Sequence, residues 1–125
     1  MIYETKKGEL VRSKSELIIA NLLFENDLDY RYEEEYKGKK VRGSMFPDFQ
    51  FNLLDGEIIV WEHLGLLTEE AYNSQWQYKK EWYLKNGLIS NETLFLSYEE
   101  DIQKSERLLL IIENIKSIIR NTSSE

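Results

Sequence analysis

The spacing of apolar positions changes character along the chain, and each change predicts an element. Leu17, Ile18, Ile19, Ala20, Leu22, Leu23 and Phe24 crowd together behind Ser13 and Ser15. Either serine suits a helix N-cap, so the pattern predicts a helix ending near Glu25, apolar around most of its circumference and therefore buried. From Tyr30 to Tyr36 aromatic and charged residues interleave. This predicts a first strand with Tyr30, Tyr32 and Tyr36 on one face. Phe49 and Phe51 alternate with Asp48 and Gln50, the two-residue period of a second strand. Asp55-Gly56 then signals a hairpin, and Ile58-Ile-Val-Trp61 is apolar without alternation, as in a central strand covered on both faces. A second helix is expected from about Thr68 to Asn86-Gly87, a fourth strand over Thr93–Ser97, and a last helix from about Ile102 to Arg120. That last helix carries Leu108, Ile111, Ile112, Ile115, Ile118 and Ile119 on one stripe, and residues 121–125 should fray. The order α-β-β-β-α-β-α predicts a three-layer α/β/α fold around a mixed four-stranded sheet, with the crossover helix permitting one parallel pairing.

Composition narrows the chemistry. The 125 residues suit one domain, with a core over about 11–120. No apolar run is long enough for a bilayer and no signal-peptide core opens the chain, so no membrane partner and a cytoplasmic location are expected. The chain has no cysteine and one histidine, His63, which excludes thiolate and multi-histidine zinc sites and a cysteine nucleophile. A metal would be held mostly by oxygen, which favours Mg²⁺ or Mn²⁺. The net charge of −7 argues against binding nucleic acid through the whole surface. One basic loop stands out, with Lys37, Lys39, Lys40 and Arg42 just ahead of Pro47-Asp48. Alone it reads as a solvated loop; beside an acidic pair it becomes a candidate phosphate contact.

That acidic pair is Asp48 and Glu62, one on each strand of the hairpin. Two acids at the edge of an apolar sheet are expensive unless neutralised, and a divalent cation would do so. Taken singly, Asp48 reads as a turn acid and Glu62 as a salt-bridged strand end. Glu62 shares a face with Val60 and Leu64, while His63 turns the other way with Trp61. Glu16 falls in the first helical turn on a stripe with Ala20 and Leu23, either facing the sheet or favouring the helix N-terminus. In the second helix Tyr72, Trp76, Lys79 and Tyr83 share one stripe, flanked by Gln75 and Trp82. Lys79 therefore sits amid aromatic residues, either extending past the rings or directing its ammonium at an anion.

Glu16, Pro47-Asp48, Glu62 and Lys79 on this frame resemble the PD-(D/E)XK nuclease superfamily, the restriction-endonuclease-like fold. The resemblance runs from about Val11 to Arg120. Ser13-Lys-Ser-Glu16, Pro47-Asp48-Phe49, Trp61-Glu-His-Leu-Gly65 and Tyr72…Trp76-Gln-Tyr-Lys79…Trp82-Tyr83 look like a branch attached to DNA helicases or encoded as small separate proteins. The family's usual lysine lies two residues beyond the second acid, where this chain has Leu64, and Lys79 fits a lysine migrated to the following helix. The resemblance implies Mg²⁺ (or Mn²⁺) held by Asp48, Glu62, the His63 backbone carbonyl and Glu16. It implies hydrolysis of phosphodiester bonds in DNA leaving a 5′-phosphate, with Lys79 beside the attacking water. Gln75 or Gln77 would take an accessory role. His63 as general base is the rival assignment, and strand alternation turns it from the acids. A helicase or other DNA-processing partner and a homodimer are compatible with the size. The alternative is a catalytically degenerate nuclease fold that binds nucleic acid or protein. The chain contains no Gly-x-x-x-x-Gly-Lys loop for ATP.

Overall fold

The computed structural model describes residues 1–65 and 68–123. In chain order come β1 (Tyr3–Glu4), β2 (Leu10–Val11), α1 (Lys14–Glu25), β3 (Arg31–Tyr32), β4 (Tyr36–Lys37) and β5 (Ser44–Met45). They are followed by β6 (Phe49–Asn52), β7 (Ile58–Leu64), α2 (Glu70–Lys85), β8 (Leu94–Tyr98), α3 (Glu99–Gln103) and α4 (Ser105–Ser123). The main sheet runs β3-β6-β7-β8, antiparallel at the first two pairings and parallel between β7 and β8. The crossover through α2 makes that parallel pairing possible.

Strand alternation sorts the core into two apolar clusters. Phe49, Phe51, Ile59, Trp61 and Phe95 pack against Ile19 and Leu23 of α1 and Leu108, Ile112 and Ile115 of α4. Val60, Leu64 and Leu94 pack against Trp76, Trp82 and Tyr83 of α2. Helices thus bury apolar faces against a mixed four-stranded sheet, an arrangement compatible with a three-layer α/β fold. Ser13 caps α1 by accepting from the Glu16 N–H at 3.1 Å. Gly87 ends α2 at φ +92°, where the Leu88 N–H reaches Tyr83 O and the Gly87 N–H reaches Leu84 O.

Several expectations need correction. The strand expected over Tyr30–Tyr36 is broken at Glu33, whose φ is +51°. Only Arg31–Tyr32 joins the main sheet, and Tyr36 turns to the α2 cluster, so the three tyrosines do not share a face. Glu33 breaks the ladder because its N–H is taken by Pro47 O at 3.1 Å and Asp48 O at 3.3 Å. The last helix is two: Lys104 leaves helical geometry, and Ile102 belongs to the short α3. Helix α1 is buried along one side only, with Phe24 exposed. Residues 121–123, expected to fray, continue α4; residues 124 and 125 lie outside the described residues. Two small hairpins, β1–β2 and β4–β5, lie outside the elements that apolar spacing predicts, and the first extends the packed region ahead of Val11. Among the described residues, no helix is long and apolar enough to cross a membrane.

Candidate metal centre

The β6–β7 register sets Phe49 opposite Trp61, which brings Asp48 alongside Glu62 at the strand ends. The His63 backbone N–H donates to Asp48 Oδ2 at 2.7 Å and fixes that carboxylate. Burial first, then the charge of Glu62, raise the Asp48 carboxyl well above the usual carboxylate range; the His63 N–H and Lys79 pull the other way. Glu62 is only 3% exposed and faces α2. Its Oε2 accepts from the Tyr83 hydroxyl at 2.6 Å and meets Lys79 Nζ at 2.8 Å. These two partners make a buried carboxylate tolerable. Burial and the adjacent Glu62 push the Tyr83 phenol far up, so it donates as a neutral hydroxyl. Both groups come from the aromatic stripe of α2, so Lys79 projects into the centre.

Glu16 reaches the same place from α1. Its Oε1 accepts from the Tyr32 hydroxyl at 2.9 Å and from the Arg12 N–H at 3.2 Å. Carboxylate oxygens of Glu16, Glu33 and Asp48 lie within 4.8 Å of one another. Sequence reading missed Glu33, because strand alternation assigned it to solvent and nothing in the pattern announces its positive φ. Arg12 Nε donates to Glu33 Oε1 at 3.2 Å, and its Nη2 contacts the same oxygen. That pairing raises the already high pKa of Arg12. Four carboxyl groups, Glu16, Glu33, Asp48 and Glu62, thus meet two cations, Arg12 and Lys79; Glu62 lies beside Asp48 but outside the group of three. The donors are oxygen, the set that hard divalent cations prefer.

His63 turns away from Glu62, as strand alternation requires. Its Nδ1 lies 2.8 Å from Ser97 Oγ, which also accepts from Trp61 Nε1 at 2.9 Å, and its Nε2 lies 3.0 Å from Glu99 Oε2. A carboxylate only accepts, so Nε2 carries the hydrogen. This bond holds Glu99 below the usual carboxylate range. Ser15 Oγ donates to Glu99 as well, at 2.9 Å, so α3 ties the first turn of α1 to the end of β7. Ser97 and Glu99 carry no motif that sequence reading would catch, and Ser15 stands out there only as a candidate cap and as part of Ser13-Lys-Ser-Glu16.

Two adjoining clefts open on the acids, of about 850 and 470 Å³, and both are bordered by Arg12, Asp48 and Tyr72. The larger also touches Glu16, His63 and Glu99; the smaller touches Glu33, Glu62, Gln75 and Lys79. Burial first, then the charge of Asp48, raise the Tyr72 hydroxyl. Of the two glutamines, Gln75 lines the smaller cleft and exposed Gln77 lines neither. The basic loop does not join the acids. Lys39 Nζ reaches Gly56 O at 3.2 Å, at the hairpin turn. That turn is roughly 20 Å from Glu62 at about 3.3 Å per strand residue. Lys40 and Val41 N–H groups donate to Asn86 Oδ1, each at 3.0 Å, and Trp82 Nε1 donates to Arg42 O at 3.1 Å. Lys39 is therefore fixed at the hairpin turn and the backbone of Lys40 and Arg42 at the C-terminal end of α2, away from the acidic cluster, with Lys37 ahead of them in β4.

No family model matches the chain, and no solved structure matches it significantly. The chain is 30% identical over 128 aligned positions to an uncharacterized protein of Methanocaldococcus jannaschii, across 91% of this chain. It spans 11% of the length of that relative.

Proposed function

We propose that this chain is a Mg²⁺-dependent nuclease of the PD-(D/E)XK type, with the restriction-endonuclease-like arrangement of α1, β6, β7, α2 and β8, hydrolysing phosphodiester bonds in DNA. The observation that carries the reading is the convergence of Glu16, Asp48, Glu62 and Lys79 on one place: Asp48 feels the charges of Glu62, Glu16 and Lys79, and Glu62 is paired to Lys79. The all-oxygen donor set fits a divalent cation, with Asp48, Glu62 and Glu16 as side-chain ligands and the His63 carbonyl as a backbone ligand. When bound, such an ion lowers the pKa of a coordinated water and screens charge building on the phosphate.

The chain's own residues supply the rest. Tyr83 and Tyr32 hold Glu62 and Glu16 in fixed orientations through hydroxyl donors at 2.6 and 2.9 Å. Preorganised donors of this kind avoid reorganisation at the moment of reaction. Lys79, on the rim of the smaller cleft and 2.8 Å from Glu62, presents a cation where the attacking oxygen and the phosphate would meet. His63 has its ring engaged by Ser97 and Glu99 and serves to seat Asp48 through its backbone N–H.

In a nicking assay with supercoiled plasmid and Mg²⁺ or Mn²⁺, the wild-type chain is expected to be active. Lys79→Ala should lose on the order of a hundredfold or more in rate, and Asp48→Ala should be inactive. Activity surviving Asp48→Ala overturns the assignment.

Leu64, standing where the family's usual lysine would be, favours a second reading. In it the same fold binds nucleic acid or a helicase partner without cleaving. Calorimetric titration with Mg²⁺ separates the two, because a pure binding module needs no ion between Asp48 and Glu62. Under either reading the helicase partner is a proposal drawn from the resemblance, and self-association and a cytoplasmic place of action are proposals drawn from the sequence.

A further inference from the structure

Among the described residues lining the two clefts, the cationic side chains are Arg12 and Lys79, and Arg12 alone borders both. Lys79 is committed to buried Glu62, and its side chain is 26% exposed; the Arg12 side chain is 73% exposed. The backbone of Arg12 is anchored, its N–H shared between Glu16 Oε1 and the Tyr32 hydroxyl, each at 3.2 Å. Its guanidinium meets Glu33 through a single carboxylate oxygen, which leaves part of a planar fork open to a second anion.

An exposed ion pair of this kind contributes little to stability. Yet the partner is held at some cost: Glu33 sits at φ +51°, secured by hydrogen bonds to the carbonyls of Pro47 and Asp48. Strain of this sort persists where its surroundings over-determine it, and here the surroundings are the backbone of Asp48 itself. The arrangement places a guanidinium at the common mouth of both clefts, linked through Glu33 to the acidic centre. The basic loop that sequence reading offered for phosphate lies at the other end of the hairpin.

We propose that Arg12, whose guanidinium is held beside both clefts by Glu33, binds a non-bridging phosphate oxygen of the nucleic-acid strand. The inference rests on the nuclease reading for the strand's identity, and its test reads binding rather than cleavage. Lys79 is already paired to Glu62, so a phosphate entering beside these carboxylates gains a second cation in Arg12, whose guanidinium suits its oxygens.

Fluorescence anisotropy with a 5′-fluorescein single-stranded oligonucleotide and its duplex, in Ca²⁺ to suppress cleavage, is run across a salt series. Arg12→Ala should raise Kd about tenfold and reduce the slope of log Kd against log salt by about one, with the melting temperature little changed. Arg12→Lys should keep the slope while losing part of the affinity. Arg12→Gln is read like the alanine variant should that one not fold. A wild-type chain that binds, with Kd and slope untouched in the Arg12 variants, overturns the role of Arg12 and leaves the nuclease reading standing. Binding with the expected slope change, but without cleavage in Mg²⁺ or Mn²⁺, supports Arg12 and overturns the nuclease reading. A wild-type chain that binds neither probe overturns both.

Discussion

Burial and the charge of Glu62 hold the Asp48 carboxyl well above the usual carboxylate range, and this has a consequence for stability. Asp48 keeps its proton to higher pH in the folded chain than in the unfolded one. Its contribution is therefore fully present below the ordinary carboxylate pKa and is lost as pH rises through the raised value. In metal-free buffer, the wild-type melting temperature should fall as pH rises across that window. Asp48→Asn should flatten this dependence and melt higher than wild type at neutral pH, while being inactive. Thermal melts at several pH values in EDTA check it; a wild-type curve that climbs with pH through the window would contradict it. Adding Mg²⁺ should raise the wild-type melting temperature more than that of Asp48→Asn. At this scale much of the site was legible: the two-residue period placed Asp48 and Glu62, and the helical stripe aimed Lys79. Glu33 and Arg12 were not, because a positive φ and a contact across the chain leave no mark on apolar spacing.

The elements that position the site differ in how openly the sequence declares them. Helix α2 is marked by its aromatic stripe and by Gly87, and the first part of β7 by the apolar run Ile58-Ile-Val-Trp61. The hairpin β4–β5 has strands of only two residues each, too short for any period to show. What holds it is tertiary: Asn86 and Trp82 of the α2 terminus bind the backbone of its loop. Gly38 is the sensitive point, since a Cβ there would lie 1.9 Å from Val41 O and 2.9 Å from the Trp82 ring. Gly38→Ala should lower unfolding free energy in urea by about 1–3 kcal/mol, because backbone must move to admit the methyl. A loss within error of zero would mean that the loop is not seated on α2 as described. The broken first strand follows the same logic: local alternation predicted continuity, and hydrogen bonds to Pro47 and Asp48 carbonyls interrupted it.

Over the whole molecule, the mixed sheet between two apolar clusters follows from element order and alternation, which is why a mixed α/β arrangement around a four-stranded sheet was readable. Charge was less readable. A chain of net charge −7 groups Glu16, Glu33 and Asp48, with Glu62 beside Asp48, at one end of its sheet and ties Lys39 of its basic loop to the other. The proposed activity depends on that acidic end holding one divalent ion between β6 and β7. Crystals soaked in Mn²⁺ and measured for anomalous scattering test this most directly. The account predicts a peak at about 2.0–2.3 Å from carboxylate oxygens of both Asp48 and Glu62, with the Lys79 ammonium beside it. No peak at that place under saturating Mn²⁺, with Glu62 still paired to Lys79, would contradict it.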